Sequence, residues 1–228
     1  MKLKLIVLLG FLFFMSQVHA QETLVLKNQK DKVSYIIGLD IGNNLKKQSI
    51  DVDPNILVKG VKDALSGAKP LLTEQEIQET MVAFQKEMAA KQEQVAKRNK
   101  AEGEAFLAEN KKKEGVKTLP SGLQYKVIKA GTGKKPKSND TVTVHYRGTL
   151  INGTEFDSSY KRGQPVSFPV SEVIPGWTEA LQLMEEGAKW QLFIPSNIAY
   201  GERGAGGVIG PNATLIFEVE LVSIQEKK

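Results

Sequence analysis

The sequence contains no cysteine and only two histidines among its 228 residues. Without cysteine the chain can form neither disulfide bonds nor thiolate metal sites. His19 lies among the first twenty residues, so His145 is the only histidine of the remaining chain. A single histidine argues against a zinc site. Because His145 alternates with Val144 and Tyr146, an ordinary strand position is favoured over the base of a serine triad. We therefore expect no metal and no cofactor.

The net positive charge of the chain is also small. The chain has 31 Lys and Arg against 26 Asp and Glu, a net charge of +5. Without Lys2 and Lys4, which belong to a predicted leader, 29 basic residues and a net charge of +3 remain. So small and dispersed an excess does not indicate a nucleic-acid partner.

Phosphate-binding loops are likewise missing. Neither Gly131-Thr132-Gly133-Lys134 nor residues 201–210 has the full Gly-x-x-x-x-Gly-Lys-Ser/Thr pattern between a strand and a long helix. Turn glycines explain both stretches better, and a nucleotide-binding enzyme fails on these grounds.

Residues 1–20 have the pattern of a signal peptide. Lys2 and Lys4 precede an apolar run over residues 5–14, and Val18-His19-Ala20 supplies small residues at a cleavage site. The run is too short to span a bilayer, and no cysteine follows it to carry a lipid. An exported chain without disulfides fits a bacterial periplasm, outer membrane or cell surface.

Residues 21–72 are predicted to be helical and to pair two chains. Apolar residues share one side of residues 33–42, Pro54 begins a second helix, and Gly67 ends it. Helices this short cannot bury an independent core. Their apolar face therefore predicts a homodimer.

Residues 73–114 are predicted to form one long connecting helix. Thr73 and Glu76 make a capping box. The apolar stripe ends at Met88, and a helix that is polar all round bridges domains through solvent. The stripe is too short for a coiled coil, so we interpret the helix as a spacer.

After Gly115 the apolar residues alternate. Strands are expected over residues 122–128, 141–150, 189–195 and 213–224, with a hairpin turn at Asn152-Gly153. One short helix set in an antiparallel sheet predicts an α+β domain over residues 115–228.

That short helix begins at a backbone break, Pro175-Gly176, and Trp177 follows directly. The indole suits either a filler of the core or the apolar floor of a pocket, with Val173 and Ile174 on its rim.

Three polar residues also have both a structural and a functional interpretation. Asp157 follows Phe156 in a loop and could simply cap a turn. Tyr146 and Tyr200 could be core residues with satisfied hydroxyls.

Taken together, five motifs occur in the order and spacing of one family. They resemble those of the FKBP-type peptidyl-prolyl cis-trans isomerases over residues 115–228. The part before them, with Tyr35-Ile36-Ile37-Gly38, resembles the macrophage infectivity potentiator (Mip) branch. The motifs are Val144-His145-Tyr146-Arg147-Gly148, Gly153-Thr154-Glu155-Phe156-Asp157-Ser158-Ser159, Val173-Ile174-Pro175-Gly176-Trp177, Ala199-Tyr200-Gly201 and Ala213-Thr214-Leu215-Ile216-Phe217.

The resemblance implies a half-barrel antiparallel sheet wrapped on the short helix. It implies a prolyl pocket in which Asp157 and Tyr200 are the catalytic polar groups, with Arg162 as the ionic partner of Asp157. Val166 and Ala205 depart from the family pattern and should alter ligand preference more than chemistry. The substrate-binding residues would be Tyr146, Phe156, Arg162, Val173, Ile174, Trp177, Ile209 and Phe217.

The resemblance also implies a function. We expect a dimeric, exported isomerase that acts on proline-containing polypeptides and assists the folding of exported proteins, with a role in virulence at the cell surface. Macrolide inhibitors of the FK506 and rapamycin type would be its ligands. The alternative is a dimeric chaperone or adhesion module whose two clefts grip extended chains.

Overall fold

The structure is a computed structural model that describes residues 25–225, so the predicted signal peptide lies outside it. The chain forms two compact units, which divide after Lys46. Among the described residues of the first unit, the one regular element is helix α1 (Gln29–Lys47), none of whose residues is buried. Within residues 25–225 no helix is long and apolar enough to cross a membrane.

The second unit begins with two capped helices, α2 (Pro54–Ser66) and α3 (Glu74–Asn110). The predicted ends of α2 are confirmed, because Asp53 caps its first turn and Gly67 ends it with φ 69°. The predicted capping box of α3 is also present: Thr73 Oγ1 accepts from the Glu76 N–H at 3.2 Å, and the Thr73 N–H donates to Glu76 Oε2 at 2.8 Å.

A single antiparallel sheet is the main element of residues 111–225, which confirms the predicted α+β class. Its strand order is β1-β2-β6-β7-β3-β4, and β5 pairs with β3. Helix α4 (Pro175–Leu183) packs against it. The strands within residues 25–225 are β1 (Val116–Thr118), β2 (Gln124–Lys129), β3 (Thr141–Leu150), β4 (Glu155–Ser158), β5 (Val166–Pro169), β6 (Lys189–Ile194) and β7 (Leu215–Gln225).

The core lies between α4 and one face of the sheet. Leu181 of α4, Leu192 of β6 and Val219 of β7 are fully buried. Along β3 and β7 every second residue is buried over most of the strand, which is the period expected when one face of a sheet is covered. The core therefore holds α4 at a fixed place on the sheet.

The last turns of α3 pack on this domain. Asn99 Nδ2 donates to Pro211 O at 2.8 Å, and Asn110 Nδ2 donates to Gln124 Oε1 at 3.0 Å. The rings of Phe106 and Phe193 are 6.0 Å apart. The interpretation of α3 as a solvent-bridging spacer is therefore wrong for its C-terminal end. The docking face interleaves apolar residues with Asn99, Gly103 and Asn110, which interrupt the apolar stripe in the sequence.

Gly103 lets α3 approach the domain closely, and this contact is testable. A Cβ added there would overlap Thr214 Oγ1. We expect Gly103→Ala to lower the free energy of unfolding by about 1–3 kcal/mol, as overpacking does, although alanine favours helix more than glycine. Denaturant unfolding measures the change. Thr214→Ala should restore part of the loss in the double variant, and an unchanged Gly103→Ala variant would contradict the close contact.

Candidate active site

The cavity of interest opens between α4, β3, β7 and the loop that follows Tyr200. Its volume is about 460 Å³. Most of its walls are aromatic or aliphatic, and the polar groups are few. The lining residues are Tyr146, Phe156, Asp157, Phe168, Glu172, Val173, Ile174, Trp177, Tyr200, Ala205, Gly206, Val208, Ile209 and Phe217.

Trp177 lies at the bottom of the cavity and is only 4% exposed. Pro175 begins α4, so the indole falls on its first turn. Tyr146 and Phe217 meet the indole edge-on, with ring centroids 5.3 and 5.2 Å away. Phe168 meets it in the same way at 6.1 Å. The two interpretations of Trp177 thus describe one position, because the ring is packed in the core and also lines the cavity.

A polar triangle lies at the rim. Tyr146 Oη donates to Asp157 Oδ2 at 2.5 Å, and Arg162 Nη1 donates to Asp157 Oδ1 at 2.5 Å. Arg162 Nη2 also donates to Tyr146 Oη at 2.7 Å. The Ser158 N–H completes the set by donating to Asp157 Oδ1 at 2.8 Å. Both carboxylate oxygens are therefore held, and charge-assisted bonds of this kind are stronger than neutral ones.

These contacts set the protonation states at the rim. Burial alone would raise the pKa of Asp157, but the hydrogen bonds from Tyr146 and Arg162 outweigh it, and the pKa falls below its ordinary value. Burial first, and then the bond to Asp157, raise the pKa of Tyr146. Burial and the negative charge of Asp157 likewise raise the pKa of Tyr200. Near neutral pH Asp157 is therefore ionised, while Tyr146 and Tyr200 keep neutral hydroxyls.

The structure brings the candidate residues together. All of those named from the sequence line the cavity except Arg162, which reaches it through Asp157 and Tyr146. Of the two departures from the family pattern, Ala205 lines the cavity and Val166 does not. His145 lies outside the cavity on β3, with its ring stacked on Tyr160 at 4.9 Å.

Sequence reasoning missed several lining residues. Phe168 was the most informative omission, since it lies two positions after Val166 on β5 and so shares its face of the sheet. Glu172 directly precedes Val173 in a motif that was recognised. Gly206 and Val208 lie in a glycine-rich loop, and a loop has no periodic pattern of apolar residues from which its path could be predicted.

Two family models match the chain in succession. The domain amino-terminal to FKBP-type peptidyl-prolyl isomerase matches residues 30–127, and FKBP-type peptidyl-prolyl cis-trans isomerase matches residues 132–222. The outer membrane protein MIP of Legionella longbeachae is 51% identical, with 99% of each chain covered. The chain belongs to the FKBP-type peptidyl-prolyl cis-trans isomerases.

Its relatives place this isomerase in the Mip branch. The peptidyl-prolyl cis-trans isomerase Mip of Coxiella burnetii is 50% identical, covering 89% of this chain and 90% of its own. The crystal structure of FkpA from Escherichia coli is similar, with a TM-score of 0.63 and 43% identity, over 88% of this chain and 99% of that chain. The resemblance inferred from the motifs is thus confirmed for family and fold.

The hydrogen bonds of the triangle lead to a prediction about how stability depends on pH. Arg162→Met removes two of the hydrogen bonds in the triangle, so the pKa of Asp157 should rise above that of the unmodified isomerase. A lowered carboxyl pKa contributes stability above its unfolded value, near 4, and this stability is lost as the pH falls through the lower folded value. The variant should therefore lose less stability than the parent between about pH 5 and pH 2.

Titration of the Asp157 carboxyl by NMR checks this prediction. Arg147→Met is the matched control, because Arg147 pairs with Glu155 at 2.5 Å rather than with Asp157. Equal Asp157 pKa values in the parent and the Arg162→Met variant would show that the arginine has no electrostatic part in the triangle.

Proposed function

We propose that the cavity catalyses cis–trans rotation about X–Pro bonds with the prolyl ring resting on Trp177. The observation that supports this best is a largely apolar cavity with an indole floor and the carboxylate of Asp157 held by hydrogen bonds at its rim. Rotation must break amide resonance, and the barrier is about 18–20 kcal/mol. No bond to the enzyme has to form, so the site needs neither a nucleophile nor a metal.

Exclusion of water supplies part of the rate enhancement. In water the planar amide is stabilised by hydrogen bonds to its carbonyl oxygen. The walls formed by Phe156, Val173, Ile174, Ile209 and Phe217 would remove that water. A cavity that fits the twisted imide better than either planar form lowers the barrier further.

The rim groups would orient the substrate. The raised pKa of Tyr200 keeps its hydroxyl protonated, so it can donate a hydrogen bond to a substrate carbonyl. Asp157 remains ionised and immobile, so its negative field has a constant direction during the rotation. Arg162 acts through Asp157 and Tyr146, and we treat it as a positioning residue.

Replacement of the carboxylate tests this assignment. Asp157→Ala should lower kcat/KM for a short X–Pro peptide at least tenfold, about 1.4 kcal/mol of transition-state stabilisation. Glu155→Gln is the matched control, since this acidic neighbour on β4 pairs with Arg147 and Lys161 and does not line the cavity. A folded Asp157→Ala variant with full activity would refute the role of the carboxylate.

We also infer that the isomerase is exported and acts as a homodimer on unfolded proteins. The leader pattern of residues 1–20 supports export to the periplasm or the outer surface. In α1, Ile36 and Leu39 are 55% and 47% exposed, and in α2, Ile56 and Leu65 are 70% and 85% exposed. A second copy can cover such faces symmetrically. The same arrangement would support the alternative of chain gripping without catalysis.

Truncation tests both inferences. The chain from residue 21 should be a dimer by light scattering at micromolar concentration, whereas residues 92–228, which retain the docked end of α3, should be an active monomer on short peptides. If two clefts act together, the fragment should lose efficiency mainly on unfolded protein clients. A monomeric longer chain would refute the dimer. A folded fragment that binds unfolded chains but isomerises no peptide would favour the gripping module.

A further inference from the structure

A second cleft lies beside the active-site cavity, between α3, the turn after β3 and the segment of residues 208–214. Its volume is about 490 Å³, close to that of the active-site cavity. Arg98 and Glu102 contribute charges of opposite sign, so the cleft has no net preference for an acidic or a basic group. Its apolar lining consists of Val95, Leu150, Ile151, Val208 and Ala213.

The cleft adjoins the active-site cavity. Val208 lines both cavities and is 42% exposed. Its neighbour Ile209 lines only the active-site cavity, while Gly210 lines only the cleft. One short loop therefore separates the two, and a chain that leaves the prolyl pocket across Val208 enters the cleft.

The distance between the active-site cavity and the cleft can be estimated along strand β3. Tyr146 and Leu150 lie on the same face of β3, the first lining the active site and the second lining the cleft. Four residues of extended strand cover about 13 Å. An extended peptide advances at the same rate, so a side chain about four residues from the bound proline reaches the cleft.

Aromatic rings cover β3 between the two cavities. Gly148 lies midway, and a Cβ added there would meet the rings of Phe156 and Phe217 at 2.5 and 2.8 Å. The absence of a side chain at Gly148 lets both rings pack closely on the strand.

The far wall of the cleft is fixed in place. Asn99 Nδ2 donates to Pro211 O at 2.8 Å, which joins α3 to the segment after Val208. Gly103 lies against Thr214 one turn further along α3. The cleft is thus bounded by packed elements on each side and is built before any ligand arrives.

We propose that this cleft is a subsite for the client polypeptide, which takes a large aliphatic side chain about four residues from the isomerised proline. The proposal rests on the proposed function, because it needs a proline bound over Trp177. It adds a determinant of client choice that lies partly on α3 and outside the prolyl pocket.

Matched peptides test the subsite in the full chain. Two ten-residue peptides carry one proline and differ only in Leu or Ser four residues before it, and a second pair carries the change four residues after it. We expect kcat/KM to be about fivefold higher for Leu than for Ser in one of the pairs, as burial of an aliphatic side chain favours binding. A tetrapeptide too short to reach the cleft measures the basal reaction.

Variants of α3 locate the effect. Val95→Trp fills the cleft, and the Leu/Ser ratio should fall to about 1. Ala101→Trp is the control, because Ala101 is exposed on the same helix outside both cavities, and the ratio should persist. Val95→Asp, which places a charge in the cleft without adding bulk, provides a second variant with the same expected result.

The outcomes separate the two proposals. A ratio near 1 for both pairs in the unmodified chain, or a ratio that survives in both Val95 variants, would overturn the subsite. Absence of tetrapeptide isomerisation would instead overturn the proposed function.

Discussion

The indole of Trp177 has to be packed in the core and also line the active-site cavity, and much of the domain is arranged around this constraint. The indole is on the first turn of α4, and Gly176 beside it lies so close to β6 that an added Cβ would meet Ile194 Cγ2 at 2.5 Å. The helix therefore rests directly on the sheet. The rings of Tyr146 and Phe217 contact the indole with their planes nearly perpendicular to it, and this geometry is favourable for aromatic pairs.

A charge next to such an apolar floor is costly unless it is compensated. Asp157 is compensated locally, because Tyr146 and Arg162 bond both to it and to each other. The triangle thus links the rim to the floor, since Tyr146 contacts the indole with its ring and the carboxylate with its hydroxyl. Loss of either partner would leave Asp157 less well held.

Much of this could be predicted from the sequence, because the signals were local and periodic. Alternation along residues 141–150 identified β3, and the Thr73 capping box identified the start of α3. The pocket residues were found through motif spacing rather than periodicity. Their mutual geometry was beyond the sequence, since the contact of Phe168 with Trp177 joins strand and helix across the core.

The docking of α3 was missed for a related reason. A helix that packs through an apolar stripe has a 3.6-residue pattern, but α3 docks through Asn99, Gly103 and Asn110 at its C-terminal end. Two of these are polar residues that equally suit solvent. The third is a glycine, and its need for close approach is visible only beside Thr214.

This docking changes where the catalytic domain begins. The change to alternating apolar residues suggested residue 115, and the isomerase family model begins at residue 132. Yet β2 pairs with β6 in the sheet that carries the site, and Gln124 on β2 bonds to Leu107 O and Asn110 of α3. Hydrogen bonds therefore run without interruption from the active-site sheet to α3. The family boundary between residues 127 and 132 cuts through one packed unit, and the end of the connecting helix belongs to the domain it was expected to hold at a distance.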